Sequence, residues 1–358
     1  MVTQGEEFWI GRIRRTLSEK DAGAVLVLVA GAAGTGKSRL LRRLAELPEA
    51  AGAVTSWNGG GEQPPDMDTT TSALVLVDDV HAADEDALTW VRSLVERPPA
   101  GTAVVVTYRA EELTHPGLPF GAVPVRYPDD LVVLRHQVRP WHAAQVAEAA
   151  REVLGEGCAP QAVARLHERS GGVARVVVDL LTVLRDSAGR RCTAADVDAA
   201  GVPVRLAELM LRRTRALPVP ARRVVWAAAV LGEPASGEDL LAVAGADATP
   251  VPEGGQGGRG ALVAALAGAA VVEDAEHRYA LPVPLAAEAL LESVPGPVRQ
   301  ELHGRAAALL QRRQPVPWAA LARHRRAGGE VRSWLRAVEH AARQAAAEGR
   351  HQEAYHAP

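Results

Sequence analysis

Val25-Leu26-Val27-Leu28-Val29-Ala30-Gly31-Ala32-Ala33-Gly34-Thr35-Gly36-Lys37-Ser38-Arg39 is the stretch that decides the fold. Residues 25–30 form an apolar run of the length of a buried strand, and Leu40, Leu41, Leu44 and Leu47 then recur at helical spacing. Between them, Gly31 to Ser38 fit G-x-x-x-x-G-K-[ST], in the strand-loop-helix setting that this phosphate-binding motif requires. Lys37 is one of only two lysines, the other being Lys20, so a composition-shuffled chain would hold the pattern about one time in a thousand.

Each position has a physical reason. Phosphate oxygens need several N–H donors at close range, and Gly31, Gly34 and Gly36 let the backbone curl its amides inward where a Cβ would obstruct. The helix that follows adds unpaired first-turn amides and the positive end of its dipole. Lys37 supplies a compact charge for the β- and γ-phosphates, and the Ser38 hydroxyl is placed for Mg²⁺. The expected nucleotide-binding set is therefore Gly31, Ala32, Ala33, Gly34, Thr35, Gly36, Lys37, Ser38 and Arg39, with ATP or GTP as ligand. Arg39, Arg42 and Arg43, on the polar face of the same helix, read as a solvated edge rather than as arginine fingers.

A second apolar run, Ala73-Leu74-Val75-Leu76-Val77, ends in Asp78-Asp79 about 40 residues downstream. A hard cation beside phosphates wants carboxylate oxygen, so Asp78 is the expected Mg²⁺ ligand together with Ser38. Asp79 is the candidate for orienting or activating the attacking water, while Asp84 reads as the cap of a helix over 85–96. The next strand, ending at Thr107, leads to Tyr108-Arg109, where an Arg is placed to touch the γ-phosphate. Asp79, Lys37 and Arg109 are thus the candidate catalytic residues.

The whole chain sets the bounds. Its 358 residues exceed one core and predict two to four domains. With 40 basic against 43 acidic residues, net charge −3, no global field draws it to nucleic acid or an anionic membrane. Cys158 and Cys192 are isolated, which predicts neither a zinc site nor a disulfide framework, only two thiols in a reducing compartment. The acidic start, Gln4-Gly5-Glu6-Glu7, and an apolar run of only twelve residues at 261–272 predict no signal peptide and no span, hence a cytoplasmic protein.

Strands are expected at 25–30, 73–77, 102–107 and 131–134, alternating with helices, the pattern of an α/β P-loop NTPase with a parallel sheet covered on both faces. The Gly-, Pro- and Asp-rich run 57–71 reads as a loop. Helices follow at 145–154, 160–168 and 173–184, then at 206–217, 221–231 and 238–244. A flexible segment at 251–260, a short helix at 261–270 and a hairpin around Asp274–His277 give this block a winged-helix look. Helical pairs at 302–311, 318–326 and 331–347 resemble the start of a TPR-like repeat array, which needs about three repeats to bury its faces and so predicts truncation or a protein partner there. The resulting domains are 1–140, 141–200, 201–295 and 296–358.

Taken together, GAAGTGKS, LVLVDDVHAAD, the TYR at 107–109, RVVWAAAVLG and PLAAEALLESVPGPVRQELHGRAAALL resemble the ATPase module of the signal-transduction ATPases with numerous domains, especially the large ATP-binding LuxR-type regulators of actinomycetes. The resemblance covers nearly the whole chain. It implies ATP and ADP as the nucleotides, 141–200 as a helical lid, and a switch that is closed with ADP and opens with ATP. It also marks departures. Glu6 stands where the family has Arg near the adenine, Gly171-Gly172-Val173-Ala174 replaces a Gly-Gly-Asn-Pro turn, and Val283 aligns with a His that reaches the ADP phosphates. Losing one such phosphate contact costs about 1.5 to 3 kcal/mol, roughly ten- to a hundredfold in ADP retention. The family's long repeat region and C-terminal helix-turn-helix are not complete within 300–358.

Three functions compete at this point: a nucleotide-switched regulatory ATPase with slow Mg²⁺-dependent hydrolysis, a non-hydrolysing nucleotide-binding scaffold, and an origin-recognition-like DNA-binding ATPase. Charge disfavours the third, because 261–270 carries no donor for a base edge and the turn Glu273-Asp274-Ala275-Glu276-His277 is acidic. The basic cluster Arg323-His324-Arg325-Arg326 reads as a solvated or partner-facing helix edge.

Overall fold

A computed structural model describes residues 4–19, 23–60, 64, 73–187, 192–246 and 257–347. The chain forms two compact units, one of residues 1–167 and 172–197, the other of 168–171 and 198–358.

The first unit is built on a five-stranded, all-parallel sheet of β1 (Val25–Ala30), β2 (Val54–Asn58), β3 (Leu74–Asp78), β4 (Ala103–Tyr108) and β5 (Val132–Gln137), in the order β2-β3-β4-β1-β5. Alternate residues serve opposite faces. Val25, Val27, Val29, Leu74, Leu76 and Val105 pack under α1 (Gln4–Ser18) and α2 (Lys37–Ala45) through Trp9, Ile13, Leu40, Leu41 and Leu44. Leu26, Leu28, Val75, Val77, Val104 and Val106 pack under α3 (Glu85–Glu96) through Ala87, Val91, Leu94 and Val95. The central strands are apolar on both faces because both are covered.

The structure differs from the sequence expectation at three places in this unit. There are five strands, the fifth being β2, so Trp57 and Asn58 belong to an edge strand and not to the loop. Residues 61–63 and 65–71 of that loop lie outside the described residues. The last strand extends to Gln137, beyond 134, and α1 forms where no helix was expected. Asp84 does cap α3, accepting from the Ala87 amide at 2.9 Å.

Beyond β5 come α4 (Ala143–Leu154), α5 (Pro160–Ser170), α6 (Ala174–Ser187) and α7 (Ala194–Ala199). His142 and Gln145 close a reciprocal cap at the start of α4. The division between units falls within α5, after His167, and again within α7, after Val197.

In the second unit α8 (Val204–Ala216), α10 (Gly237–Ala244), α11 (Gly257–Ala267) and α12 (Ala286–Ser293) surround α9 (Val219–Leu231), whose Val224, Val225, Ala227 and Val230 are buried. A short hairpin of β6 (Val272–Glu273) and β7 (Tyr279–Ala280) is extended by Ala235, which exchanges backbone hydrogen bonds of 3.0 and 2.8 Å with Tyr279. α11 starts at Gly257 and ends at Ala267, so it includes Arg259, which the sequence pattern left in the flexible segment; 251–256 lie outside the described residues. Val283 is buried in this unit. α13 (Gly296–Gln311), α14 (Trp318–Ala327) and α15 (Val331–Ala347) pack in succession around Ala307, Leu310, Leu321, Ala322 and Ala337. Among the described residues, no helix is long and apolar enough to cross a membrane.

Candidate functional site

The register of three strands assembles the site in the first unit. Ala30, at the end of β1, pairs with Tyr108 at the end of β4, and the Gly31 amide donates to the Tyr108 carbonyl at 3.2 Å. Val77 of β3 pairs with Val106 of β4, which sets Asp78 beside Thr107. The loop after β1 and the acids after β3 therefore emerge at the same C-terminal sheet edge, the usual position of ligand sites in parallel sheets.

The loop is shaped as its glycines require. Gly34 and Gly36 hold φ of 78° and 111°, values that a side chain disfavours. The first bond of α2 runs from the Leu40 amide to the Gly36 carbonyl at 3.0 Å, so the amides of Lys37, Ser38 and Arg39 have no partner within the helix. The Lys37 ammonium donates to the Gly31 and Ala32 carbonyls at 2.8 and 3.1 Å. Burial lowers its pKa, opposed chiefly by Asp79. A buried ammonium beside unpaired amides makes a cradle whose chemistry fits a polyphosphate.

The acids sit across from it. Thr107, fully buried, donates its hydroxyl to Asp78 Oδ1 at 2.5 Å and accepts from the Asp79 amide at 2.9 Å. Asp79 takes the left-handed φ of 50°. Its Oδ2 lies 3.3 Å from Arg109, whose other terminal nitrogen meets Glu112 at 3.0 Å. Burial works against the Arg109 charge, but Asp79 and Glu112 outweigh it and raise the pKa. His81, buried, lies 3.3 Å from Glu112 and 3.8 Å from Asp79. Asp79 Oδ1 is buried without a hydrogen-bond partner among the described residues, as are His81 Nδ1 and Arg109 Nε. Those residues hold no cluster of three carboxylate, imidazole or thiol groups fit to bind a metal, so a divalent cation at Ser38 and Asp78 needs further oxygens from phosphate and water.

A cleft of about 850 Å³ runs from the loop to the start of α4 and α6, lined among others by Lys37, Asp79, Arg109, Trp141 and Arg175. Arg39, Arg42 and Arg43 stand exposed along it. Two backbone bonds join its walls: Trp141 N–H to the Gly172 carbonyl at 2.7 Å, and Arg175 N–H to the Gly34 carbonyl at 2.9 Å. Val173 and Ala174 are buried at that junction, with a Val173 methyl facing Gly34. The side chain of Glu6 lies outside the described residues.

All of the expected site residues thus lie along one sheet edge. Sequence reasoning missed Thr107 as a site residue, His81, Glu112 and Arg175. Thr107 carried a faint signal as the polar residue that follows the aliphatic run Ala103–Val106. The others depend on contacts between elements.

A scan against protein-family models gives no match, and neither does comparison with curated protein sequences. Solved structures do match. A Walker-type ATPase of Pyrococcus abyssi superposes with a TM-score of 0.50 at 14% identity, over 78% of this chain and 94% of its own. The ORC2 protein of Aeropyrum pernix, in ADPNP–ADP complexes, gives 0.49 at 12% over 86% and 94%. The RuvB Holliday junction branch migration motor of Thermotoga maritima gives 0.39 at 16% over 82% and 96%. The likeness to the first, with the parallel sheet and the loop at its edge, gives the class: this chain has a P-loop ATPase fold.

Proposed function

We propose that the chain is an ATP-binding, nucleotide-switched regulatory ATPase of the transcription-regulator type, similar to the LuxR-type regulators and with slow hydrolysis. One observation carries the enzymatic part: the β1-β4-β3 register brings Lys37, Asp78 and Asp79 to one sheet edge. Fold alone would not support it, since one fold hosts many activities. In this reading the loop from Gly31 to Arg39 cradles the phosphates of ATP or ADP, chiefly through the amides of Lys37, Ser38 and Arg39, and Lys37 supplies the local positive charge. Ser38 and Asp78 would hold Mg²⁺, which when bound neutralises charge on the phosphates. Asp79 orients the attacking water, while Thr107 and Arg109 hold the acid in position.

The further parts of the reading rest on arrangement. The three-stranded edge formed by Ala235, β6 and β7 beside α9–α11 supports a winged helix, and the succession α13–α15 supports a repeat-like segment for a protein partner or self-association. In the hairpin turn Arg278 pairs with Asp274 and Glu276, and His277 with Glu273. A turn whose three carboxylates outnumber its one arginine offers little to a DNA backbone, so direct DNA binding is not part of the proposal.

Titration with labelled ATP, ADP and GTP, with and without Mg²⁺, tests the reading. Wild type should bind ATP and ADP, and Lys37→Ala should weaken binding about ten- to a hundredfold, the worth of a charged hydrogen bond. Phosphate release should fall in Asp79→Asn. Because Arg109 occupies Oδ2 of Asp79, a non-hydrolysing scaffold is the second reading, and equal phosphate release from wild type and Asp79→Asn would select it. Absence of nucleotide binding by the folded protein would remove both.

A further inference from the structure

The two cysteines, far apart in sequence, are partners in space. Cys158, just before α5, and Cys192, just before α7, form a parallel β-bridge. The Cys192 amide donates to the Gly157 carbonyl at 2.9 Å, and the Ala159 amide donates to the Cys192 carbonyl at 3.1 Å. Such pairing sets Cα atoms roughly 4.8 Å apart, within the range of about 4.4 to 6.8 Å that a disulfide spans. Each thiol lies 3.9 Å from the carbonyl oxygen of the residue that follows it, Ala159 for Cys158 and Thr193 for Cys192. Cys192 is buried and Cys158 is partly exposed, so one thiol is open to a reagent and the other stands behind it.

We propose that Cys158 and Cys192 are a thiol pair that closes to a reversible intramolecular disulfide, clamping the ends of the α5–α6 segment. The oxidant class is a low-molecular-weight disulfide. The Cys158 thiolate attacks one of its sulfurs and releases one small thiolate. The Cys192 thiolate then attacks the Cys158 sulfur and expels the second, and the two protons lost by the cysteines end on the two small thiols. One disulfide is consumed and one is formed. The proposal is independent of the nucleotide reading, because it rests only on the paired backbone around 158 and 192.

The consequence lies in α6. Its first turn touches the phosphate loop through Arg175 and Gly34, and its far end leads toward Cys192. A crosslink there restrains the segment bearing that turn while leaving every cleft residue chemically unchanged. Burial raises both thiol pKa values, that of Cys192 to about 11. Closure is therefore slow at neutral pH and should quicken about tenfold per pH unit as thiolate forms.

The test exposes the folded full chain to oxidised glutathione at pH 7.5 and 8.5, then blocks residual thiols with maleimide under denaturing conditions and reads intact mass and peptides. Wild type should lose both thiols, become two hydrogens lighter without retaining glutathione, stay monomeric on a non-reducing gel and recover with dithiothreitol. Cys192→Ser should stop as a glutathione adduct on Cys158. Retention of both thiols where the urea-unfolded chain crosslinks would overturn the proposal. So would a stable wild-type adduct on Cys158, or a disulfide between chains.

Discussion

Gly172→Ala isolates the junction between the phosphate loop and the helices that follow the sheet. Gly172 holds φ of +70°, and a Cβ there would lie 2.1 Å from the Trp141 carbonyl oxygen. Moving to ordinary contact near 3.4 Å means a displacement of over ~1 Å. That displacement acts on the Trp141 N–H bond to the Gly172 carbonyl and, three residues on, on the Arg175 N–H bond to Gly34. An L-residue at left-handed φ costs about 1 to 2 kcal/mol, and two lost hydrogen bonds add about 0.5 to 1.5 kcal/mol each, roughly 3 kcal/mol in all. If half of this falls on the nucleotide-bound arrangement, affinity for labelled ATP drops about tenfold. Gly52→Ala is the control: its φ is +80°, but no atom lies within 4 Å of the added carbon, so it carries the backbone cost without the clash. Nucleotide titration of the three proteins decides. Affinity of Gly172→Ala within about twofold of wild type, or equal weakening by Gly52→Ala, would refute the reasoning.

Thr107→Val keeps shape but removes the hydroxyl that serves Asp78 and the Asp79 amide, at a cost of about 1 to 3 kcal/mol for polar groups left buried. Phosphate release should fall by at least about tenfold with a smaller effect on nucleotide affinity than Lys37→Ala, and Thr107→Ser should restore it; wild-type turnover in the valine variant would sink this assignment. Acid should loosen α13–α15 first. His303 and His324 meet Nδ1 to Nδ1 at 2.9 Å, and burial holds both pKa values down, with Arg299 and Arg323 beside His303, and Arg323 and His303 itself beside His324, adding to it; His324 falls to about 3. Each takes up its proton at lower pH in the fold than in the unfolded chain, whose histidines charge near 6.5. The unfolded state therefore binds more protons below that pH. The stability is full above about 6.5 and declines as pH falls toward 3, by about 1.4 kcal/mol per unit for His324. Tryptophan fluorescence during acid titration should show the transition, and a curve unchanged in His303→Leu/His324→Leu would exclude the pair as its cause.

The parts of this molecule legible in its sequence are those set by local pattern. The phosphate loop declares itself because Gly34, Gly36 and Lys37 each answer a requirement at a fixed offset, and β1, β3 and β4 because covered strands are apolar throughout. β2 escaped notice because an edge strand covered on one side needs only alternate burial, and Val54-Thr55-Ser56-Trp57-Asn58 buries Trp57 alone. α1 escaped because only two of its apolar residues, Trp9 and Ile13, are buried, with charged residues interspersed among the rest. The Cys158–Cys192 pairing was invisible for another reason: it belongs to two connections that the packing of α4–α7 brings side by side, and no spacing rule encodes that.

Asp79 shows how the two kinds of information combine. Its position after a buried strand is written locally, but its left-handed backbone is not, since a residue with a Cβ adopts it at a cost of about 1 kcal/mol unless the surroundings hold it there. They do so from three sides. Thr107 of β4 accepts its amide, the Ala82 amide binds its carbonyl at 3.0 Å, and Gly59, after β2, leaves room where a Cβ would come within 2.7 Å of that carbonyl. With the backbone so fixed, Arg109 takes Oδ2 and Oδ1 is left as the buried acceptor. The contact expected of Arg109 from sequence was with a phosphate; the contact it makes is with the acid. In the proposed reading Arg109 therefore aims Asp79, and a buried Oδ1 must be uncovered before it can meet a water, an arrangement suited to a slow, switch-like turnover rather than a fast one.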